Sequence, residues 1–343
     1  VSLARARRAF RDVTFTPRIL RDVSRVDTST TILGKRSALP MVLAPTGFTR
    51  MMHYQGERAV APVAERAGIP YTLSTMGTVT IEDVVAAAPG GRHWFQLYLW
   101  KDRAASTDLV RRAADSGYDT LVLTVDTPVA GARQRDVRNG MTIPPQLTLK
   151  TFADMAMHPS WWFNLLTTEP LTFASVRSSG GTVAEMINRM FDPTAGVAEV
   201  EWLRSVWPGS LVIKGIQSVP DAVTAVEAGA DAVVLSNHGG RQLDRAPTPL
   251  QLLPRVVDAV GDRAEVMLDT GILSGADVVA AVANGAKACL VGRAYLYGLM
   301  AGGQRGVQRA VDILTAEITR TMQLLGTCRV ADLSPEHAAL PQA

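Results

Sequence analysis

A histidine and an arginine three residues apart follow a short apolar run in the second half of the chain. The run is Ala232–Leu235, and it leads into Ser236-Asn237-His238-Gly239-Gly240-Arg241. An imidazole can accept a proton near neutral pH, and a guanidinium can hold an acid group through two hydrogen bonds. The intervening glycines let the backbone turn sharply and approach a ligand closely. The pair indicates removal of a proton and a hydride from a hydroxy acid; the alternative is a polar loop in which His238 caps a helix.

The elements that must position these groups alternate between short apolar runs and helical patterns from about residue 40 to residue 300. Such alternation predicts parallel βα units, and eight of them close naturally into an α/β fold of the (β/α)8 TIM-barrel type. A doubly wound open sheet is the alternative, which the lack of an early Gly-x-Gly-x-x-Gly turn disfavours. The predicted strands are Met41–Ala44, Tyr71–Leu73, His93–Tyr98, Thr120–Val125, Leu211–Lys214, Ala232–Leu235, Glu265–Leu268 and Ala288–Val291.

Composition predicts one globular domain, residues 1–343, with an ample core. The chain is 47% hydrophobic and 20% charged, and its net charge of +3 is too small to indicate nucleic-acid binding. Two cysteines, Cys289 and Cys328, are too few for a disulfide framework or a cysteine metal site, and we expect no metal. The low cysteine content fits a reducing cytoplasm, and no signal peptide is visible. Because residues 1–10 already read as a helix and begin with Val1, we expect an N-terminal segment to be missing.

One long interval, residues 127–200, contains no predicted strand. This insertion after the fourth strand is far longer than the usual βα loop of about 2–6 residues, so we expect it to act as a lid, a partner surface or a membrane contact. Within it, residues 155–166 (MAMHPSWWFNLL) are strongly apolar and aromatic. They are suited to a bilayer interface; a packed subdomain or an oligomer contact is the alternative.

Polar residues lie at or just after the end of every predicted strand. In a barrel the active site lies at the carboxyl ends of the strands, so these residues are expected to share one pocket. In chain order they are Pro45-Thr46-Gly47, Ser74-Thr75, Gln96 with Tyr98, Thr124 with Asp126 and Arg133, Lys214-Gly215, Ser236 to Arg241, Asp269-Thr270-Gly271, and Gly292-Arg293.

Together these motifs resemble the FMN-dependent L-2-hydroxy-acid dehydrogenase and oxidase family over essentially the whole chain. Within the long insertion, His158-Pro159-Ser160-Trp161 and Phe191-Asp192-Pro193 resemble the bacterial quinone-linked L-lactate dehydrogenases. The resemblance implies FMN as cofactor, oxidation of L-lactate to pyruvate, and a quinone or another electron acceptor. It also implies a homotetramer that contacts the inner face of the cytoplasmic membrane peripherally. Open alternatives are an oxidase or monooxygenase that uses oxygen, another 2-hydroxy acid such as mandelate or glycolate, and a non-catalytic binding barrel.

The catalytic roles follow from the chemistry of the groups. His238 would accept the hydroxyl proton while a hydride passes to FMN, and Asp126 would hold the imidazole, unless that aspartate only caps the next helix. Tyr98 would hydrogen-bond the substrate oxygen, unless it is a buried tyrosine with an unrelated partner. Arg241 and Arg133 would bind the carboxylate. The alternative for Arg133 is a solvent-exposed side chain with no role in the site, because Arg135 and Arg138 lie on the same loop.

The resemblance also assigns the flavin contacts. Lys214 would stabilise the reduced ring, although a structural salt bridge is the alternative. Asp269 would bind the ribityl chain, and Gly271, Gly292 and Arg293 would bind the phosphate. The remaining predicted contacts to the ring are Pro45, Thr46, Gly47, Ser74, Gln96, Thr124 and Ser236.

Three departures from the family pattern bear on these expectations. Leu273 stands where the family usually has a phosphate-binding arginine, so FMN is held more loosely unless another donor substitutes. The family's N-terminal substrate tyrosine would lie upstream of Val1. Gly47 and Met76 leave room for more than a methyl group, so L-lactate is the leading substrate but larger acids remain open.

Overall fold

Eight parallel strands close into a barrel, which confirms the predicted (β/α)8 architecture. The computed structural model describes residues 1–131, 159–168 and 191–341, with isolated positions 138, 153, 156, 157 and 174. The last barrel strand pairs with the first, Leu290 opposite Val42, and every neighbouring pair is parallel. The strands are β1 Met41–Leu43, β2 Tyr71–Ser74, β3 His93–Leu97, β4 Thr120–Thr124, β5 Ser210–Ile216, β6 Ala232–Leu235, β7 Glu265–Leu268 and β8 Cys289–Val291.

The described helices surround this barrel. Several begin directly after a side chain that accepts a hydrogen bond from the first turn, as Thr80, Asp102, Ser218 and Ser274 do. None of them has the length and apolar character needed to cross a membrane. They are α1 Ser2–Arg11, α2 Thr49–Met52, α3 Glu57–Ala67, α4 Ile81–Ala87, α5 Arg103–Asp115, α6 Pro159–Thr167, α7 Val197–Val206, α8 Val219–Glu227, α9 Pro249–Val260, α10 Gly275–Ala283 and α11 Arg293–Leu324.

Buried apolar side chains fill both the inside of the barrel and the layer between strands and helices. The strands are buried on both faces, as expected of a parallel sheet covered by helices. Inside the barrel, Trp94 is fully buried among residues from the other strands. A hairpin of Thr30–Ile32 and Lys35–Ser37 covers the amino-terminal end, where Leu33 N donates to the Glu265 carboxylate at 3.0 Å. The site loops therefore lie at the opposite end.

The N-terminal helix α1 packs beside these site loops. Its first residue, Ser2, donates from its backbone N to Asp244 Oδ1 at 2.8 Å, and the Ser2 hydroxyl reaches the same oxygen at 2.8 Å. Ser2 and Asp244 are 242 residues apart in sequence, so these hydrogen bonds fix the start of α1 to the segment that follows His238. Helix α1, which is not part of the βα repeats, thus forms one side of the opening of the barrel.

Candidate active site

A cavity of about 390 Å³ opens at the carboxyl ends of the barrel strands. Its volume is in the range of sites that hold small molecules. Asp126 and Ser236 lie behind its lining, and Arg133 lies outside the described residues. The predicted site residues that line the cavity are Pro45, Thr46, Gly47, Ser74, Gln96, Tyr98, Thr124, Lys214, His238, Arg241, Asp269, Gly271, Gly292 and Arg293.

His238 and Asp126, 112 residues apart in sequence, form a hydrogen-bonded pair beside this cavity. His238 Nδ1 lies 3.0 Å from Asp126 Oδ1 and 3.2 Å from Oδ2. An ionised carboxylate only accepts hydrogen bonds, so for a neutral imidazole this geometry favours the tautomer in which Nδ1 donates to Asp126 and Nε2 is the acceptor. Nε2 is 3.3 Å from Tyr98 Oη. The Asp126 side chain is 1% exposed and the imidazole 18%, so the base faces the cavity while its carboxylate partner is shielded from water.

The backbone around this pair is specialised. His238 has a φ of +57°, a left-handed conformation that is uncommon for residues other than glycine and indicates a constrained site. Its backbone N donates to Ser236 Oγ at 3.0 Å. Gly215 has a φ of +109°, and a Cβ there would lie 2.8 Å from Asp126 Cβ. Gln242 Nε2 donates to the Asp126 carbonyl at 3.0 Å, which ties the two loops together.

Lys214 and Asp269 form a buried ion pair on the cavity floor. Lys214 Nζ lies 2.8 Å from Asp269 Oδ2 and donates to Ser236 Oγ at 3.1 Å. Burial alone would lower the pKa of Lys214, but the charges of Asp269 and Asp126 outweigh it and raise that pKa above its ordinary value. Burial likewise opposes ionisation of Asp269, but the Lys214 charge lowers the pKa of this carboxyl. Both groups are therefore charged at neutral pH, so the cavity floor carries a fixed ammonium.

A chain of polar side chains crosses the wall formed by β2, β3 and β4. Ser74 Oγ donates to Gln96 Oε1 at 3.0 Å, and Gln96 Nε2 donates to Thr124 Oγ1 at 3.0 Å. On the other side, Thr46 Oγ1 is 2.6 Å from Tyr295 Oη, which donates to the Ala44 carbonyl at 2.9 Å. These contacts hold amide and hydroxyl groups in fixed orientations. A flat heterocycle with alternating donors and acceptors, such as the flavin ring, matches this wall.

The part of the cavity beside the Gly239 carbonyl is cationic. Arg293 Nη2 donates to the Gly239 carbonyl at 3.0 Å, and Arg7 and Arg241 also line the cavity. Burial and the charge of Arg241, with a smaller effect of Arg7, lower the pKa of the Arg293 guanidinium from its ordinary value. Arg7 Nε is buried and has no hydrogen-bond partner within the described part of the chain. Together with the polar wall and the fixed ammonium, this end fits a flavin that carries one phosphate.

Four residues that contribute to the site were given no role from the sequence. Thr270 has a φ of +72°; its Oγ1 accepts from Gly239 N at 3.1 Å and donates to Asp269 Oδ1 at 2.7 Å. Tyr295 and Gln242 act through the contacts given above, and Arg7 comes from α1. For Arg7, the helical spacing of Leu3, Arg7 and Phe10 is the signal that could have identified it.

A family model described as FMN-dependent dehydrogenase matches residues 1–340. A putative L-lactate dehydrogenase of Mycobacterium tuberculosis is 58% identical over 337 residues, covering 98% of this chain and 81% of that protein. A 4-hydroxymandelate oxidase of Amycolatopsis orientalis is 43% identical over 326 residues, covering 95% and 86%. The crystal structure of the monotopic membrane protein (S)-mandelate dehydrogenase matches with a TM-score of 0.93 at 37% identity, over 99% of this chain and 91% of that one.

Proposed function

The chain belongs to the family of FMN-dependent dehydrogenases and is an enzyme that oxidises 2-hydroxy acids with FMN, and we propose that its substrate is L-lactate. The family resemblance and the FMN cofactor predicted from the motifs are thereby confirmed. The observation that carries the substrate class is the His238 imidazole, which Asp126 holds through Nδ1 beside a cavity that Arg241 also lines. Relatives named as L-lactate dehydrogenases support lactate within that class.

In the proposed reaction, the residues of the chain orient the acid and move one proton. Arg241 binds the carboxylate and thereby sets the α-carbon in place. His238 Nε2 accepts the hydroxyl proton, and Asp126 stabilises the imidazolium that results. Tyr98 Oη, which lies beside Nε2, donates a hydrogen bond to the substrate oxygen. The bound FMN supplies a two-electron acceptor for the hydride. Lys214 contributes a fixed positive charge to the ring site.

Product formation tests this assignment. The purified protein is incubated with L-lactate, glycolate or (S)-mandelate, first with an artificial electron-accepting dye and then with oxygen alone. We expect 2-oxo acid from L-lactate with the dye, and little hydrogen peroxide with oxygen. Faster product formation from (S)-mandelate would reassign the substrate, and equal rates with oxygen would favour the oxidase alternative, which the 4-hydroxymandelate oxidase relative keeps open.

Replacing Arg241 with lysine is expected to weaken substrate binding and slow turnover. A lysine keeps the charge but lacks the planar fork that binds a carboxylate through two bonds. We expect KM for L-lactate to rise by about tenfold or more, as loss of a hydrogen bond to a charged group implies. Steady-state kinetics measure this, with Arg255→Lys on α9 as the control. Unchanged kinetics in Arg241→Lys would place the carboxylate elsewhere.

We further propose that helix α6 docks the enzyme on the inner face of the cytoplasmic membrane and that the acceptor is a quinone. Phe163 is 59% exposed, whereas Trp161 Nε1 donates to the Met51 carbonyl at 3.1 Å and attaches the helix to the barrel. The structural relative named as a monotopic membrane protein supports this placement. Residues 155 and 158 of the predicted segment lie outside the described residues. A homotetramer remains a prediction that rests on the family.

Phe163→Asp is expected to reduce membrane association without unfolding the barrel. A charge on an exposed apolar position opposes insertion into the interface, whereas the Trp161 contact is retained. Sedimentation with anionic lipid vesicles measures the bound fraction, and Leu324→Asp, which changes an exposed leucine on α11, is the control. If the wild-type protein never sediments with vesicles, the docking proposal fails.

A further inference from the structure

One face of α1 is turned toward the cavity. Leu3 and Arg7 line the cavity, and Ala6 and Phe10 are buried. Positions 3, 6, 7 and 10 lie on one side of an α-helix because of its 3.6-residue period. Arg5 and Arg8, on the remaining surface of α1, are exposed. Arg7 therefore faces the cavity, whereas Arg5 and Arg8 on the same helix face solvent.

The helix α1 lies directly against the two loops that carry the cationic end of the cavity. A Cβ added to Gly271, which follows β7, would lie 3.0 Å from the Ala6 carbonyl oxygen. A Cβ added to Gly240, which follows β6, would lie 3.0 Å from Leu3 N. Gly239, next to Gly240, accepts the hydrogen bond from Arg293. Arg7 is thus at the same end of the cavity as Arg293.

The charges at this end call for an anionic ligand. Arg7 Nε is buried and has no hydrogen-bond partner among the described residues, which is costly for a charged group unless a ligand supplies the acceptor. Leu273 lines the same cavity, and its side chain offers no donor to a phosphate. Two guanidinium groups at one end present several N–H donors, and a phosphate presents several acceptor oxygens.

We propose that Arg7 binds the phosphate of FMN together with Arg293 and takes over the role of the arginine that Leu273 replaces. The proposal rests on the flavin-dependent function proposed above and deepens it, since it makes α1 part of the cofactor site. Arg241 remains assigned to the substrate carboxylate. One consequence is that recognition of the phosphate depends on α1, and not only on the loops of the barrel.

Comparison of FMN with riboflavin isolates the phosphate, because the two ligands differ only in that group. The full chain is purified as holoprotein, stripped of flavin and titrated with each ligand while flavin fluorescence is followed. For Arg7→Ala we expect FMN affinity to fall by about tenfold or more and riboflavin affinity to stay within about twofold of wild type. Arg5→Ala, which removes an exposed arginine from the same helix, is expected to change neither affinity.

Further variants guard against a purely structural effect. Arg7→Lys keeps a charge, and we expect it to bind FMN more tightly than Arg7→Ala but less tightly than wild type. Adding Leu273→Arg to Arg7→Ala is expected to restore FMN affinity, because it returns a guanidinium to the usual position. If Arg7→Ala alone folds poorly, the FMN affinity of the variant that also carries Leu273→Arg still tests the proposal.

Two results would overturn the role of Arg7. The first is an FMN affinity that is unchanged in Arg7→Ala. An equal loss of FMN and riboflavin affinity, with no recovery on adding Leu273→Arg, is the other, since it would mean that Arg7 only packs α1. Failure of the wild-type protein to bind FMN at all would instead overturn the proposed function, so the two failures are distinguishable.

Discussion

Replacing His238 with glutamine is expected to leave the protein yellow but to slow its reduction by L-lactate by about 10²- to 10⁴-fold, the usual contribution of a positioned general base. Glutamine is uncharged and cannot accept the hydroxyl proton at neutral pH. Asp126 would keep a hydrogen-bonding neighbour, and the flavin contacts to Lys214 and Gln96 are not touched. Anaerobic stopped-flow absorbance of the flavin band measures the rate.

Two further variants make this result specific. Asp126→Asn removes the carboxylate that holds the proton on Nδ1, so we expect a large loss in the same reduction rate. His53→Gln changes a histidine that does not line the cavity and is expected to leave the rate unchanged. A wild-type reduction rate in His238→Gln would remove His238 as the base.

Replacing Lys214 with methionine is expected to destabilise the fold by about 3–5 kcal/mol, because it leaves Asp269 buried without its cation. Chemical unfolding of the flavin-free protein, followed by circular dichroism, measures the free energy without a contribution from bound FMN. Adding Asp269→Asn should recover part of the loss, since no unpaired charge then remains. If the single variant is as stable as wild type, the pair contributes nothing to folding.

The pH dependence of this loss has a definite sign. In the wild-type protein the pKa of Asp269 is lowered, so its contribution is present above the unfolded pKa and is lost as the pH falls through the folded one. In Lys214→Met the charge that lowers this pKa is removed, and we expect burial, which raises the pKa, to favour the protonated carboxyl. The destabilisation is therefore expected to be larger at about pH 8 than at about pH 5.

The barrel was predictable from the sequence because its strands are buried on both faces. A strand such as β4 is therefore a continuous run of apolar and β-branched residues with a polar residue at its end. The ends of the strands were less predictable. β5 continues past Lys214 to Ile216, with an irregular pairing at Gly215, whose positive φ only the structure reveals.

The residues of the candidate site likewise fall into a group that could be predicted from the sequence and a group that could not. His238 and Asp126 follow β6 and β4, and the rule that barrel sites lie at strand ends was sufficient to bring them together. Arg7 belongs to no strand and lies among Arg5, Arg8 and Arg11, where a solvated charge is the ordinary interpretation. Gln242 and Thr270 act through contacts to a backbone carbonyl and a backbone N–H, which sequence patterns do not reveal.

The central claim is that this cavity removes a proton and a hydride from L-lactate and delivers the hydride to FMN. The most direct test is an anaerobic visible spectrum of the purified holoprotein before and after addition of L-lactate, with D-lactate as the control. We predict that L-lactate bleaches the flavin band and that D-lactate does not. A flavin band that persists with L-lactate and with other L-2-hydroxy acids would contradict the account.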